Sequence, residues 1–161
     1  AAATAAAYPG AWVIGADTLV VGPKGEPLGK PPTAASARSM LLQLRGRRHR
    51  VVTAQAVIHR DRVASDHLST LVTMRPYSDE EIAAYLASGD PFDKAGSYAI
   101  QHPTFRPVAF LDGCYLNVVG LPICRTARLL REAGFPTALP DLRPPWCQVC
   151  RRAAAGELAG L

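Results

Sequence analysis

Two neighbouring stretches of alternating residues constrain the fold most strongly. Residues 50–59 and 63–74 each alternate apolar with polar side chains, and the dipeptide Asp61-Arg62 lies between them. Alternation with a period of two is typical of half-buried strands, and a short polar connection is typical of a hairpin. We therefore expect two antiparallel strands here, with Asp61-Arg62 at the tip.

Helix signals lie on both sides of this hairpin. Caps and apolar spacing predict helices over residues 33–44, 78–87 and 122–133. Thr33 and Ser78 are the expected N-caps of the first two, and Glu81 completes a capping box with Ser78. Gly46, Gly89 and Gly134 are expected to end the three helices.

Shorter β-rich runs predict further extended segments. Residues 12–21 read as a buried strand interrupted at Asp17, and residues 97–101 as a short strand or an extended turn after a loop over 90–96. Residues 107–111 and 114–119 read as a strand pair across Asp112-Gly113. Helices mixed with hairpins predict an α/β fold with a mixed β-sheet and flanking helices.

Lysine usage points to an anionic ligand. Of 18 Lys and Arg residues only three are Lys, and two of these occupy Gly-bearing turns, Gly29-Lys30-Pro31 and Asp93-Lys94-Ala95-Gly96. A compact ammonium kept in a tight turn of an Arg-rich chain favours contact with phosphate oxygens. The alternatives are a solvated loop lysine at Lys30 and an Asp93–Lys94 surface pair.

Four further residues are candidates for chemistry. Asp17 is a carboxylate in an apolar run, so it must face a cleft, a cation or hydrogen-bond donors. It is a candidate general base or metal carboxylate, or else a cap for backbone amides, and Thr18 beside it could offer a hydroxyl. Gln101 offers both a donor and an acceptor, which suits the imide face of uracil or thymine, or it is simply a hydrogen-bonded surface amide. Asp93 could hold a metal or orient Lys94.

Composition excludes several classes. No apolar run is long enough for a transmembrane helix, and residues 1–7 lack the basic region of a signal peptide, so we expect a cytoplasmic protein without a membrane partner. The net charge is +5, but the basic run 45–50 has no interleaved aromatics, so we do not expect a nucleic-acid partner. The lone Cys147-Gln148-Val149-Cys150 motif lies in a Pro-rich stretch over 136–161 that we expect to be an irregular tail.

Five segments, taken in order, resemble the Maf family of nucleoside triphosphate pyrophosphatases. They are Gly15-Ala16-Asp17-Thr18, Gly29-Lys30-Pro31, His49-Arg50-Val51-Val52-Thr53, residues 93–101, and residues 117–122. The likeness covers about Trp12 to Phe135, so residues 1–135 are expected to form a partial Maf-like domain. The family's Ser/Arg-rich first turn has no counterpart here, and residues 1–9 look like the end of the helix that would follow it. The domain is therefore expected to be N-terminally truncated.

The resemblance implies a function and a set of roles. It implies a fold with a central cleft and cleavage of a nucleoside triphosphate between its α and β phosphates, with Mg²⁺ or Mn²⁺. The proton acceptor would be Asp17, followed by Thr18. The loop lysine would be Lys30 and the specificity glutamine Gln101, as in the branch that acts on dTTP and UTP. A homodimer is implied as well. The rival interpretation is a non-catalytic nucleotide-binding or cell-division regulatory module.

Overall fold

The computed structural model describes residues 1–136. The predicted tail, with Cys147 and Cys150, lies outside the described residues apart from Pro136. The division of the chain at residue 135 therefore stays a prediction.

Five helices and five strands form the described part of the chain. In chain order they are α1 (Ala2–Ala7), β1 (Val13–Val21), β2 (Pro27–Leu28), α2 (Ala34–Leu44), β3 (Arg48–His59), β4 (Arg62–Met74), α3 (Asp79–Ala87), β5 (Val108–Asp112), α4 (Tyr115–Val119) and α5 (Ile123–Glu132). Two short 3₁₀ turns, Asp90–Asp93 and Ala95–Ser97, follow α3. None of the helices within residues 1–136 is long and apolar enough to cross a membrane.

The strands are hydrogen-bonded in the order β2-β1-β3-β4-β5. Strand β2 pairs antiparallel with β1, with Leu28 opposite Val20. Strand β5 pairs antiparallel with β4, with Asp112 opposite Leu71. Because β3 and β4 are sheet neighbours joined by only Arg60-Asp61, they form the expected hairpin. The predicted α/β class, with a sheet and flanking helices, is confirmed.

The chain divides into two compact units. Unit 1 comprises residues 1–17, 53–68 and the chain from Gly113 onward, and unit 2 comprises residues 18–52 and 69–112. In unit 1, α5 buries Leu129 and Ala133 against Val57 of β3, with Trp12 packed beside them. In unit 2, α2 and α3 contact each other. Their fully buried side chains include Leu41, Leu44 and Ile82.

The predicted helix caps are confirmed. The Thr33 side chain accepts a hydrogen bond from the Ser36 amide at the start of α2. Ser78 and Glu81 form the complete capping box of α3. Each side chain satisfies an amide that the first helical turn would otherwise leave without a partner. Local sequence signals therefore predicted the N-cap residue of both helices correctly.

Several predicted strands are wrong. Strand β1 is not interrupted at Asp17, and most of its residues are not buried; Val13 and Val20 are the buried ones. Over residues 97–101 there is no strand, and the alternative of a turn is the one confirmed, at Ile100 and Gln101. Strand β5 is present, but its expected partner over 114–119 is instead helix α4, which follows the buried Cys114. The β-propensity of Val118 and Val119 is weak evidence when burial favours another conformation.

Candidate functional site

Asp17 lines an open cavity of unit 1. The cavity has a volume of about 610 Å³, and strands β1, β3 and β4 supply most of its lining, which includes Ala16, Asp17, Gln55, Asp66 and His67. The Asp17 side chain is exposed. The sequence argument required this carboxylate to face a cleft, a cation or donors, and its exposed position beside the cavity satisfies that requirement without the cost of burial.

The second carboxylate of the cavity is engaged by cations. Asp66 Oδ2 lies 3.0 Å from Arg125 Nη1 and 2.6 Å from Arg128 Nη2. Both guanidinium groups project from α5, and the Asp66 side chain is only 21% exposed. Two charge-assisted bonds to one carboxylate fix it in place and neutralise its charge. Asp66 is therefore held in structural ion pairs, and Asp17 is the more exposed of the two carboxylates that line the cavity.

A buried amide also borders this cavity. Gln55 is 4% exposed, and its Nε2 donates to Thr126 Oγ1 at 2.8 Å. Thr126 in turn donates to the Pro122 carbonyl at 3.4 Å. These bonds tie β3 to the start of α5, because a buried polar side chain needs such partners. They hold the part of the cavity wall that β3 supplies in a fixed position.

The two lysine-bearing turns are adjacent within unit 2. The Gly96 amide donates to the Gly29 carbonyl at 3.1 Å, which joins the loop of Lys30 to the loop of Lys94. Gly96 has φ +71°, and a Cβ built on it would lie 3.0 Å from Val20 Cγ1. Both the backbone angle and the contact with β1 therefore require glycine here. The sequence singled out these two turns separately, and the fold brings them together.

The two lysines differ in their surroundings. Lys30 is exposed, and no carboxylate among residues 1–136 lies within ion-pair distance of it. Lys94 is surrounded by oxygen atoms: its Nζ lies 2.6 Å from Asp93 Oδ1, 3.0 Å from Asp90 Oδ1 and 3.0 Å from the Asp90 carbonyl oxygen. An ammonium has three donors, so this set already satisfies Lys94. Lys30 can bind an anion as it stands, whereas Lys94 must exchange a partner to do so.

The carboxylates around Lys94 are held in their charged forms. The hydrogen bond from Lys94 lowers the pKa of Asp93, which is highly exposed. Partial burial works against ionisation of Asp90, but hydrogen bonds from Tyr85 and Lys94 outweigh it and lower the pKa of Asp90. Partial burial likewise opposes the charge on Lys94, and Asp93 and Asp90 outweigh it and raise the pKa of Lys94. The cluster is thus fully ionised at neutral pH.

Tyr85 and Asp90 are functional candidates that the sequence argument missed. The Tyr85 hydroxyl donates to Asp90 Oδ2 at 2.6 Å and accepts from the Ala99 amide at 3.0 Å. The four-residue spacing of Asp90 and Lys94 was a readable signal for an ion pair. Nothing comparable marked Tyr85, since one aromatic residue on the apolar face of a helix reads as core.

Gln101 lies two residues after Ala99, in a turn, which is the second of the two alternatives predicted for this segment. Its side chain is exposed. In the same unit, His102 Nδ1 accepts from the Phe105 amide at 3.0 Å, which closes the turn on the far side of Gln101. The Gln101 side chain is therefore presented to solvent from a backbone held on both sides.

One buried histidine has no assigned chemistry. His49 is 3% exposed, and its Nε2 lies 2.7 Å from the hydroxyl of Tyr98. Burial lowers the pKa of His49 to about 4. Neutral at physiological pH and enclosed, it packs edge to face against the ring of Tyr98. Within residues 1–136, no three His, Cys, Asp or Glu side chains are grouped as metal ligands.

The structure therefore assembles some of the predicted site residues within single units. Unit 2 contains Lys30, Asp93, Lys94 and Gln101, together with Thr18, which is half-buried on β1. Asp17 belongs to unit 1 with the cavity described above.

Comparison with known proteins agrees with this picture. The family model described as Maf-like protein matches residues 1–133. A dTTP/UTP pyrophosphatase of Thermomicrobium roseum is 55% identical over 157 residues, which are 96% of this chain and 72% of that protein. Proteins of the same name from Symbiobacterium thermophilum and Geobacter sulfurreducens are 46% and 48% identical, covering 84% and 83% of this chain and 70% and 71% of their own lengths. A match of this extent means that the chain belongs to the Maf family.

Proposed function

We propose that the protein is a nucleoside triphosphate pyrophosphatase that hydrolyses dTTP and UTP to the monophosphate and pyrophosphate. The observation that carries the proposal is its 55% identity, over 96% of the chain, to a relative named for that activity. An exposed carboxylate beside a cavity and an exposed lysine in a glycine-bearing loop are the chemical groups that such a reaction needs.

Asp17 acts as the proton acceptor in this proposal. A water molecule attacks phosphorus at the α–β anhydride, its proton passes to the Asp17 carboxylate, and the anhydride P–O bond breaks to release pyrophosphate. A general base of this kind must be ionised and accessible to water. The exposed position of Asp17 on the cavity wall supports the assignment.

Substrate contacts fall to residues of unit 2. Lys30 neutralises phosphate charge directly, because no described carboxylate competes for its ammonium. Lys94 contributes after Asp93, its most exposed partner, moves aside for a phosphate oxygen. Thr18 offers its hydroxyl to the nucleotide. Gln101 pairs with the imide edge of thymine or uracil through its amide.

A divalent ion fits the donor set as a companion of the substrate. Mg²⁺ is commonly bound through one or two carboxylates together with substrate phosphates rather than by an all-protein cage. Asp17 offers such an exposed carboxylate at the cavity, and Asp66 is held by two guanidinium groups. When bound, Mg²⁺ or Mn²⁺ would neutralise charge on the phosphate oxygens.

The test is pyrophosphate release from dTTP and UTP in the presence of Mg²⁺ or Mn²⁺, with wild type and Asp17→Asn compared. We expect the variant to lose at least about a hundredfold in kcat, since general base catalysis contributes roughly that much. Nucleotide affinity should change little. Turnover by Asp17→Asn at the wild-type rate would show that Asp17 is not the proton acceptor. Nucleotide binding by the wild type without any turnover would instead identify a non-catalytic binding module.

Assembly and location are part of the same proposal. We expect a homodimer, measured by sedimentation or light scattering, and a cytoplasmic location, measured by cell fractionation. The homodimer rests on the family likeness alone.

A further inference from the structure

We propose that Tyr85 is a positioning residue that sets the base selectivity of the enzyme by fixing the backbone that carries Gln101. The inference rests on the proposed function, because it assigns to Gln101 the reading of a uracil or thymine edge. It adds a residue on helix α3 whose side chain need not contact the substrate.

The Tyr85 hydroxyl forms hydrogen bonds with two separate parts of the chain that follows helix α3. It donates to Asp90 Oδ2 at 2.6 Å and accepts from the Ala99 amide at 3.0 Å. Asp90 in turn contacts Lys94, and Ala99 lies two residues before Gln101. One buried oxygen atom therefore connects the expected phosphate lysine to the backbone of the expected base-reading glutamine.

The ring that carries this hydroxyl is itself held firmly. Tyr85 is 2% exposed. Its ring stacks on Phe105 at a centroid distance of 4.2 Å and contacts the edge of His102 at 4.7 Å. Both partners follow Gln101 in the chain. The phenol thus reaches the loop on both sides of Gln101, through the Ala99 amide on one side and through its ring contacts on the other.

The backbone around Gln101 belongs to no strand or long helix. Gly96 and Ser97, which lead into it, have φ values of +71° and +61°, and no strand pairs with residues 98–101. Such a backbone keeps its conformation only where its surroundings fix it. At Ala99 the carbonyl accepts from the His102 amide at 3.2 Å across the turn, and the amide donates to the Tyr85 hydroxyl, which ties the turn to helix α3.

Fixed geometry is what allows a glutamine to discriminate. A side-chain amide offers both a donor and an acceptor. If the amide group shifts and rotates by 180°, it can pair with the amino group and ring nitrogen of cytosine as well as with the imide of uracil. Selectivity for uracil therefore requires that the amide be held in one position and one orientation. Loosening the Ala99 anchor should weaken the choice of base more than it weakens phosphate chemistry.

The experiment compares Tyr85→Phe with Tyr77→Phe. Tyr77 is a matched control because it is also buried in unit 2, packs against the same Phe105, and donates its hydroxyl to a backbone oxygen, that of Leu41. That bond leads to helix α2 rather than to the Gln101 segment. The measurements are kcat and KM for UTP and CTP, with thermal melting of each variant.

We expect Tyr85→Phe to lower the preference for UTP over CTP in kcat/KM by about five- to tenfold, the value of one hydrogen bond. Tyr77→Phe also loses one buried hydrogen bond, so its melting temperature should fall about as much as that of Tyr85→Phe. Its preference for UTP over CTP should stay at the wild-type value. An unchanged preference in Tyr85→Phe, with wild-type turnover intact, overturns the positioning role and leaves the proposed function standing. Absence of UTP turnover in the wild type overturns both.

A second variant keeps the proposal testable if Tyr85→Phe does not fold. Asp90→Asn keeps the size of the side chain but removes the charged partner of the Tyr85 hydroxyl, so the UTP preference should fall in the same direction. A wild-type preference for UTP over CTP in a folded Asp90→Asn protein would contradict the positioning role that we infer for Tyr85.

Discussion

Replacing Gly96 by alanine tests the contact that joins the two lysine loops. Gly96 has φ +71°, and an added Cβ would lie 3.0 Å from Val20 Cγ1 and 3.3 Å from Val20 Cβ. The positive φ alone costs roughly 1–2 kcal/mol for a residue with a side chain. Overpacking against a buried neighbour adds about 1–3 kcal/mol, because Val20 is 3% exposed and has little room to move. We expect a total loss of about 2–5 kcal/mol in the free energy of unfolding.

Gly89→Ala is the matched control. Gly89 has φ +78°, but nothing lies within 4 Å of its added Cβ, so only the backbone cost applies. For a chain of this size 1 kcal/mol corresponds to about 2–4 °C in Tm. Gly89→Ala should therefore lower Tm by a few degrees and Gly96→Ala by roughly 4–20 °C. The assays are thermal melting and urea unfolding. Equal losses in the two variants would refute the close approach of Gly96 to Val20.

Two further predictions concern pH and ion pairs. Because burial lowers the pKa of His49 from 6.5 to about 4, the unfolded state binds a proton more readily between those values. The free energy of unfolding should then fall as pH drops from about 6.5 to 4, by at most about 3 kcal/mol. Urea unfolding at a series of pH values should show a flatter profile for His49→Gln and the wild-type slope for the exposed His67→Gln. Asp66→Asn should lower the free energy of unfolding by about 1–3 kcal/mol, since it leaves the partly buried Arg125 without its partner. Asp79→Asn, which also loses two arginine contacts but at an exposed position, should cost less, and the reverse order would contradict the argument from burial.

Much of the fold could be predicted from the chemistry of residues close together in the chain. The Thr33 cap, the Ser78–Glu81 capping box and the hairpin of β3 and β4 were each predicted from residues close together in the chain. These features depend on hydrogen bonds and alternation within a few residues, so no distant partner was needed to predict them.

Helix α4 shows where such local reasoning fails. Its sequence favours a strand, yet Asn117 is completely buried, and its side-chain oxygen accepts from the Thr53 amide at 3.2 Å. The Asn117 carbonyl also accepts from the Thr53 hydroxyl at 2.7 Å. A partner 64 residues away in the chain supplies these bonds, and burying an unsatisfied amide would cost more than the strand preference is worth. Strand β5 then pairs with β4 instead.

The sequence alone determined which groups are available for chemistry: one aspartate in an apolar run, two lysines in glycine-bearing turns, and a glutamine with both a donor and an acceptor. Tertiary structure decided how those groups are held. It left Lys30 exposed, surrounded Lys94 with three oxygens, and connected the Gln101 segment to Asp90 through the Tyr85 hydroxyl. The physical reason is that residue type fixes charge and hydrogen-bonding capacity, whereas the use of that capacity depends on neighbours that only the folded chain brings within bonding distance.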